Sequence, residues 1–136
     1  MQFSAISTLV VDDSIVIRLW TVQRLKELGV TEILQCDSGN DAFRKLDSCF
    51  QKNHPVHLIL SDWRMDNGDG AELLKNIRAD QRFKNLPFIM ITAESDKRSI
   101  AQAISLGVSS YLIKPFETEA LKEKIIICME KNEIQS

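Results

Sequence analysis

The chain has 136 residues, of which 44% are hydrophobic and 26% charged, a composition typical of one folded domain and not of a disordered segment. The net charge of −2 and the lack of a Lys/Arg run disfavour nucleic acid as a partner, because phosphate backbones are bound by clustered positive charge. No signal peptide is visible, and the apolar runs fall well short of the ~20 residues that span a bilayer. The three cysteines are widely spaced, which favours free thiols. We therefore expect a cytoplasmic protein with no membrane partner.

The first part of the chain predicts two strand–helix units. In chain order these are a strand at 9–11, a helix at 14–28, a weaker strand at 32–36 and a helix at 41–50. Gly29 is placed to end the first helix, because glycine readily adopts the left-handed conformation of a C-cap. The apolar residues that we expect near one side of this helix are Ile15, Leu19, Trp20, Val22 and Leu25.

The rest of the chain predicts three more units. In chain order these are a strand at 57–60, a loop at 65–70, a helix at 71–79, a strand at 88–91, a helix at 97–106, a strand at 111–113 and a last helix capped by Thr118. Five repeats with near-continuous apolar strands predict one α/β domain over 1–136, in which helices cover both faces of a doubly wound parallel sheet.

Polar side chains follow four of the five predicted strands. Asp12 and Asp13 follow the first, Asp62 the third, Thr92 the fourth and Lys114 the fifth. Taken singly, each could be a turn former or a helix cap, but ligands of open parallel sheets bind beyond the carboxyl ends of the strands. Two carboxylates ~4 Å apart repel by ~4 kcal/mol at an effective dielectric near 20, so stability alone does not favour three together. An ammonium group and a divalent cation with hard oxygen ligands, such as Mg²⁺, would offset the repulsion.

Short segments spread over nearly the whole chain resemble the receiver domains of two-component systems. These segments are 9–14, 61–65, 69–70, 92–94 and 114–116, which read LVVDDS, SDWRM, DG, TAE and KPF. A closer likeness to chemotaxis regulators of the CheY type rests on 25–29, 61–63, 72–75 and 77–80. The resemblance implies a flavodoxin-like sheet of five strands in the order 2-1-3-4-5.

The resemblance also implies the roles of the residues at the strand ends. Asp62 would accept a phosphoryl group from a histidine kinase, Lys114 would pair with Asp62 and then with a phosphoryl oxygen, and Thr92 would donate its hydroxyl to another. Mg²⁺ would be held by Asp13, Asp62 and the backbone carbonyl of Arg64, with Asp12 acting through an ordered water.

A switch in the binding surface is implied as well. Thr92 would move toward the phosphoryl group and Tyr111 would turn inward, which would reshape the face formed by the fourth helix, the fifth strand and the fifth helix. An output protein or a flagellar motor protein would bind this face. Tyr111 could instead be an ordinary half-buried strand residue. The basic residues that could be either a docking face or solvated surface are Lys97, Arg98, Lys122 and Lys124.

Several positions depart from the family pattern. Asp66 stands where a proline is common, which leaves metal affinity and loop order open. Arg64 and Glu94 are predicted to set the lifetime of the phosphorylated state, in a direction that the sequence leaves open. Asp96 replaces the first member of a basic pair, which leaves the motor partner open. Trp63, next to the phosphorylation site, is expected to face solvent.

More than one function fits the sequence. The favoured one is a monomeric binding module, without an output domain, whose chemistry is limited to its own phosphorylation and dephosphorylation. The alternative is a phosphorelay receiver that passes its phosphoryl group to a histidine phosphotransfer protein, and a phosphatase is a further candidate partner. An aspartyl-phosphate phosphatase is disfavoured, because neither Asp12 nor Asp62 has an acid two residues later. No glycine-rich nucleotide-binding loop follows a strand.

Overall fold

The computed structural model describes residues 2–65, 69–93 and 96–135, with the side chains of 132–135 excepted. Over these residues a short 3₁₀ turn at Phe3–Ala5 precedes five alternating strands and helices. The strands are β1 (Ser7–Val11), β2 (Glu32–Cys36), β3 (Leu58–Asp62), β4 (Phe88–Ala93) and β5 (Ser110–Lys114). The helices are α1 (Ile15–Leu28), α2 (Gly39–Gln51), α3 (Gly70–Ala79), α4 (Lys97–Ser105) and α5 (Thr118–Gln135).

The strands form one parallel sheet in the order β2-β1-β3-β4-β5. The predicted doubly wound α/β fold and its strand order are confirmed. The chain moves outward from β1 to β2 and then returns to β3 on the other side of β1, so the order reverses between β1 and β3. Ligands of such sheets bind at the carboxyl ends of the strands that flank this reversal.

Two buried clusters, one on each face of the sheet, hold the helices in place. Residues of β1 alternate between them, because Leu9 and Val11 contact one cluster and Val10 the other. The helices on the first face contribute Leu46, Leu73, Leu74, Ile77 and Ala103. Those on the second contribute Val22, Leu25, Leu121 and Ile125. Burial on both faces explains why the central strands β1, β3 and β4 read as apolar runs.

Polar side chains directly before several helices fix where those helices begin. A side-chain oxygen accepts a hydrogen bond from the backbone N–H three residues ahead at Ser14, Ser38, Asp69 and Asp96. Since Ser38 and Asp69 are caps, α2 and α3 begin at Gly39 and Gly70, slightly earlier than predicted. Gly29 ends α1 in the left-handed conformation, with φ of 100°, as predicted.

The start of α5 differs from the prediction. Thr118 is the first residue of the helix, and its hydroxyl donates to Glu27 Oε2 of α1 at 2.6 Å. The ring of Trp20 in α1 lies edge-on to Phe116, with the centroids 4.8 Å apart. These contacts join α1 to α5 over one face of the sheet, and Trp20 packs against the core there although it is only half-buried.

The predicted apolar side of α1 is wrong for its first two members. Ile15 and Leu19 are 60% and 52% exposed, whereas the buried side of the helix runs through Thr21 and Leu25. At 3.6 residues per turn, Ile15 lies roughly a quarter-turn around the helix from that line. No helix in the described part of the chain is long and apolar enough to cross a bilayer.

Candidate functional site

Three carboxylates meet at the carboxyl end of the sheet. Asp12 and Asp13 directly follow β1, and Asp62 is the last residue of the adjacent strand β3. The register pairs Val11 with Ser61, which brings Asp12 level with Asp62. One oxygen from each of the three acids lies within 4.8 Å of the others. The structure thus brings together the three acids that the sequence analysis selected.

Burial sets the electrostatics of this cluster. Asp12 and Asp62 are only 2% and 9% exposed, and this burial raises the pKa of both carboxyl groups above the ordinary value of 3.8. A hydrogen bond from Ser14 N to Asp12 Oδ1, 2.9 Å long, and the ammonium of Lys114 beside Asp62 oppose the rise in pKa without cancelling it. Three hard oxygen donors this close together, with the ionised forms of Asp12 and Asp62 disfavoured by burial, fit a small divalent cation such as Mg²⁺.

Lys114 supplies positive charge to the same pocket. It is the last residue of β5, two strands away from β3, and its Nζ donates to Asp62 Oδ1 at 3.1 Å. The register pairs Lys114 with Ala93, so its side chain crosses the end of β4 to reach the acid. The peptide bond from Lys114 to Pro115 is cis.

Thr92 and Tyr111 lie on the same face of the sheet. Thr92 is 3% exposed and lines a cleft of about 470 Å³ together with Asp62 and Lys114. Met90 shares its side of β4 with Thr92, and the register pairs Met90 with Tyr111. The ring of Tyr111 is half-buried, with Lys124 Nζ 5.5 Å from its centroid. The two residues predicted to act as a switch are therefore on one side of neighbouring strands.

Arg64 and Asp96 form an ion pair at this cleft. Arg64 Nε lies 2.8 Å from Asp96 Oδ2, and the terminal nitrogen Nη2 lies 3.1 Å from Oδ1. These hydrogen bonds, together with one from Ser99 N, lower the pKa of Asp96 to about 2. The pairing was not predicted from sequence. Glu94 and Asp66, and the effects expected of them, lie outside the described residues.

Arg18 is a site residue that the sequence analysis missed. Its Nη1 donates to the backbone carbonyl of Asp12 at 2.8 Å, and its Nε donates to Gln35 Oε1 at 3.1 Å. Arg18 thus holds the turn that carries the acid pair. The available signal was its spacing of three and seven residues from Thr21 and Leu25, which places it on the buried side of α1.

The prediction that Trp63 faces solvent is wrong. Trp63 is 3% exposed and belongs to the core cluster under α3. Gly70 N donates to Trp63 O at 2.9 Å, and a Cβ at Gly70 would lie 2.7 Å from Asp62 O and 3.0 Å from Trp63 Cε3. The close approach of α3 covers the indole, and it requires a glycine where the helix begins.

Comparisons with known proteins identify the family of the chain. The family model described as "Response regulator receiver domain" matches residues 8–126. The chain is 38% identical over 125 residues to chemotaxis protein CheY1 of Helicobacter pylori, covering 92% of this chain and 98% of that protein. It is 37% identical over 117 residues to the chemotaxis protein CheY homolog of Campylobacter jejuni, covering 86% and 87%.

A similar solved structure is that of chemotaxis response regulator CheY4 of Vibrio cholerae, with a TM-score of 0.76 and 28% identity over 90% of this chain and 98% of that one. The match of the family model over most of the chain and the identity to these relatives lead to one assignment. The chain belongs to the family of response regulator receiver domains.

Proposed function

We propose that the protein is a response regulator that accepts a phosphoryl group on Asp62 from a histidine kinase and then binds an output protein. The observation that carries the proposal is the position of Asp62, which contacts Lys114 Nζ at 3.1 Å and lies in a cluster with two further acids. The H. pylori relative is matched over 98% of its own length, which supports a role for this chain like that of the receiver domains it resembles.

The chemistry assigned to the pocket is one phosphoryl transfer. An oxygen of Asp62 forms the bond to phosphorus as the bond between phosphorus and the kinase histidine nitrogen breaks. Lys114 shifts from Asp62 to a phosphoryl oxygen, and the hydroxyl of Thr92 donates to another. In autodephosphorylation, water attacks the same phosphorus as its bond to the Asp62 oxygen breaks, which releases inorganic phosphate and restores the carboxylate.

Mg²⁺ is the proposed cofactor. The residues expected to hold it are Asp12, Asp13, Asp62 and the backbone carbonyl of Arg64. When bound, it supplies positive charge that offsets the charge on the transferring phosphoryl group. Asp12 is held in place before the ion arrives, because Ser14 N donates to its carboxylate and Arg18 donates to its backbone carbonyl.

The proposed output surface is the face formed by α4, β5 and α5. Among the side chains that the structure describes, the exposed isoleucines of these elements are Ile104, Ile113 and Ile127. Exposed apolar side chains among basic ones suit a protein partner. Thr92 moving toward the phosphoryl group would free space on its side of the sheet for the half-buried Tyr111. Phosphorylation would then change this face.

Chemotaxis signalling to a flagellar motor is the pathway that we propose, because the relatives described above are named as chemotaxis proteins. The second candidate is a phosphorelay receiver that passes its phosphoryl group to a histidine phosphotransfer protein. Asp96 keeps this candidate open, because it makes the start of α4 less basic than the chemotaxis pattern requires. A phosphotransfer assay with such a protein separates the two candidates.

The direct test is phosphorylation by a small donor. Acetyl phosphate with Mg²⁺ should add one phosphoryl group to the native protein by intact mass, and the addition should be lost without Mg²⁺ and in Asp62→Asn. Asp37→Asn is the matched control, because Asp37 also follows a strand but is not in the acid cluster. A native protein that stays unmodified, or an Asp62→Asn variant that is still modified, would contradict the proposal.

A further inference from the structure

The ion pair between Arg64 and Asp96 bridges two connections at the mouth of the candidate site. Arg64 follows β3, and Asp96 lies between β4 and α4, 32 positions away in the chain. Both residues line the same cleft as Asp62, Thr92 and Lys114. An incoming phosphoryl group would therefore meet a guanidinium that is already held by a carboxylate of the chain.

The side chains of Arg64 and Asp96 differ in how firmly the rest of the protein holds them. The Asp96 side chain is 11% exposed and also accepts a hydrogen bond from Ser99 N, which fixes it as the cap of α4. The Arg64 side chain is 76% exposed, and its recorded hydrogen bonds are to Asp96 alone among the described residues. Exposed ion pairs are weak and easily exchanged, so Arg64 is the partner that can move.

We propose that Arg64 is a phosphate-sensing latch, held by Asp96 while Asp62 is unmodified and drawn from Asp96 to the phosphoryl group once Asp62 carries it. This proposal rests on the proposed function of Asp62. A phosphoryl group offers more negative charge and more acceptor oxygens than a carboxylate, and a planar guanidinium binds it with two parallel hydrogen bonds.

Release of the latch reaches α4 through one residue. Asp96 is at the same time the partner of Arg64 and the cap of α4, so the exchange changes the charge and the hydrogen bonding at the first turn of this helix. Because α4 is part of the proposed output face, the latch is a second connection from Asp62 to that face, separate from Thr92 and Tyr111.

If the latch exists, Asp96 and a phosphoryl group compete for Arg64. This competition can be measured with the phosphoryl mimic beryllofluoride and Mg²⁺. Since coupling is reciprocal, removing the charge of Asp96 should free Arg64 for the mimic. Asp96→Asn keeps a capping oxygen for Ser99 N and should bind beryllofluoride roughly 2- to 5-fold more tightly than the native protein, the range expected of an exposed ion pair. Calorimetry on the full chain gives the affinity.

A double-mutant cycle separates the latch from simple charge removal. In an Arg64→Gln background the gain from Asp96→Asn should vanish, because no guanidinium remains to be released. Asp41→Asn is the matched control, since Asp41 pairs with Arg44 at 2.9 Å at the start of α2 and does not line the cleft. It should leave the affinity unchanged.

The possible failures are distinguishable. If Asp96→Asn gives no gain, or gives the same gain with and without Arg64, the latch is overturned while the proposed function stands. If the native protein does not bind beryllofluoride, the proposed function fails, and the latch with it.

A second measurement is the NMR signal of Arg64 Nε–H. This signal should shift on addition of beryllofluoride in the native protein and stay in place in Asp62→Asn. A signal that does not move in the native protein overturns the latch.

Discussion

The two ends of the sheet handle charge in opposite ways. At the carboxyl end, Asp12, Asp13 and Asp62 share one ammonium, and burial raises the pKa of two of the three. At the amino end, beside the starts of β4 and β5, Arg78 is surrounded by acceptors of the chain. Its Nε donates to Gly107 O at 2.9 Å and its Nη1 to Leu86 O at 2.7 Å.

Arg82 is a second cation at the amino end of the sheet whose charge is paired. Its guanidinium pairs with Asp47 and Asp80 and lies 4.5 Å from the centroid of the Phe83 ring. These two arginines thus have their partners within the chain, which serves stability. The excess of negative charge at the other end costs stability, and in the proposed function Mg²⁺ supplies the missing positive partner.

The largest expected effect is on stability, at the amino end of the sheet. Arg78→Ala leaves the carbonyls of Gly107 and Leu86 without this donor, and we expect a loss of about 2–3 kcal/mol in the free energy of unfolding. Urea denaturation measures it as a lower midpoint at unchanged slope. Arg44→Ala, at an exposed ion pair, is the control and should change stability by less than about 0.5 kcal/mol. Equal losses in the two variants would remove the contrast between the ends.

The next effect tests the support of the acid pair. Arg18→Ala frees the backbone of Asp12 from its 2.8 Å hydrogen bond, and we expect Mg²⁺ to bind about 10-fold more weakly, as when an outer support of metal ligands is removed. Calorimetric titration with Mg²⁺ measures the affinity. The same Arg44→Ala variant should titrate like the native protein, and an Arg18→Ala variant that does so too would show that the turn needs no such support.

A smaller effect concerns the cost of the acid cluster itself. Asp12→Asn keeps an oxygen for Ser14 N and the pair between Lys114 and Asp62, but it removes one buried charge. We expect the protein in EDTA to gain about 1 kcal/mol of stability and to lose much of its stabilisation by Mg²⁺. Asp37→Asn, outside the cluster, should show neither change. A destabilised Asp12→Asn protein would mean that the cluster is not under repulsion.

The smallest effect is the dependence of that gain on pH. Since the native pKa of Asp12 is raised above 3.8, its ionised form weakens the metal-free fold at neutral pH, and protonation relieves this as the pH falls through the raised pKa. The stability difference between Asp12→Asn and the native protein should therefore shrink on acidification and be absent below 3.8. Urea titrations in EDTA at a series of pH values measure it, and a difference that grows on acidification would reverse the sign of the argument.

Much of this arrangement could be predicted from local signals. The apolar runs predict the central strands β1, β3 and β4 because both faces of the sheet are buried there. Gly29 marks the end of α1 because the left-handed conformation there favours glycine. Asp12, Asp62 and Lys114 could be selected as neighbours because parallel strands end at one edge. Helix caps were harder to assign. Ser38 and Asp69 are caps, so α2 and α3 begin earlier than predicted, and the hydroxyl of Thr118 donates to Glu27 of α1.

What the sequence by itself determined was the order of the elements and the chemistry that they deliver to one edge of the sheet, because both follow from periodicity and from residue types at strand ends. Only the tertiary structure decided which way individual side chains turn and which distant partner they meet. Trp63 is covered because Gly70 brings α3 against it, and Arg64 meets Asp96 across 32 positions. Such contacts depend on the relative placement of elements that no local pattern records.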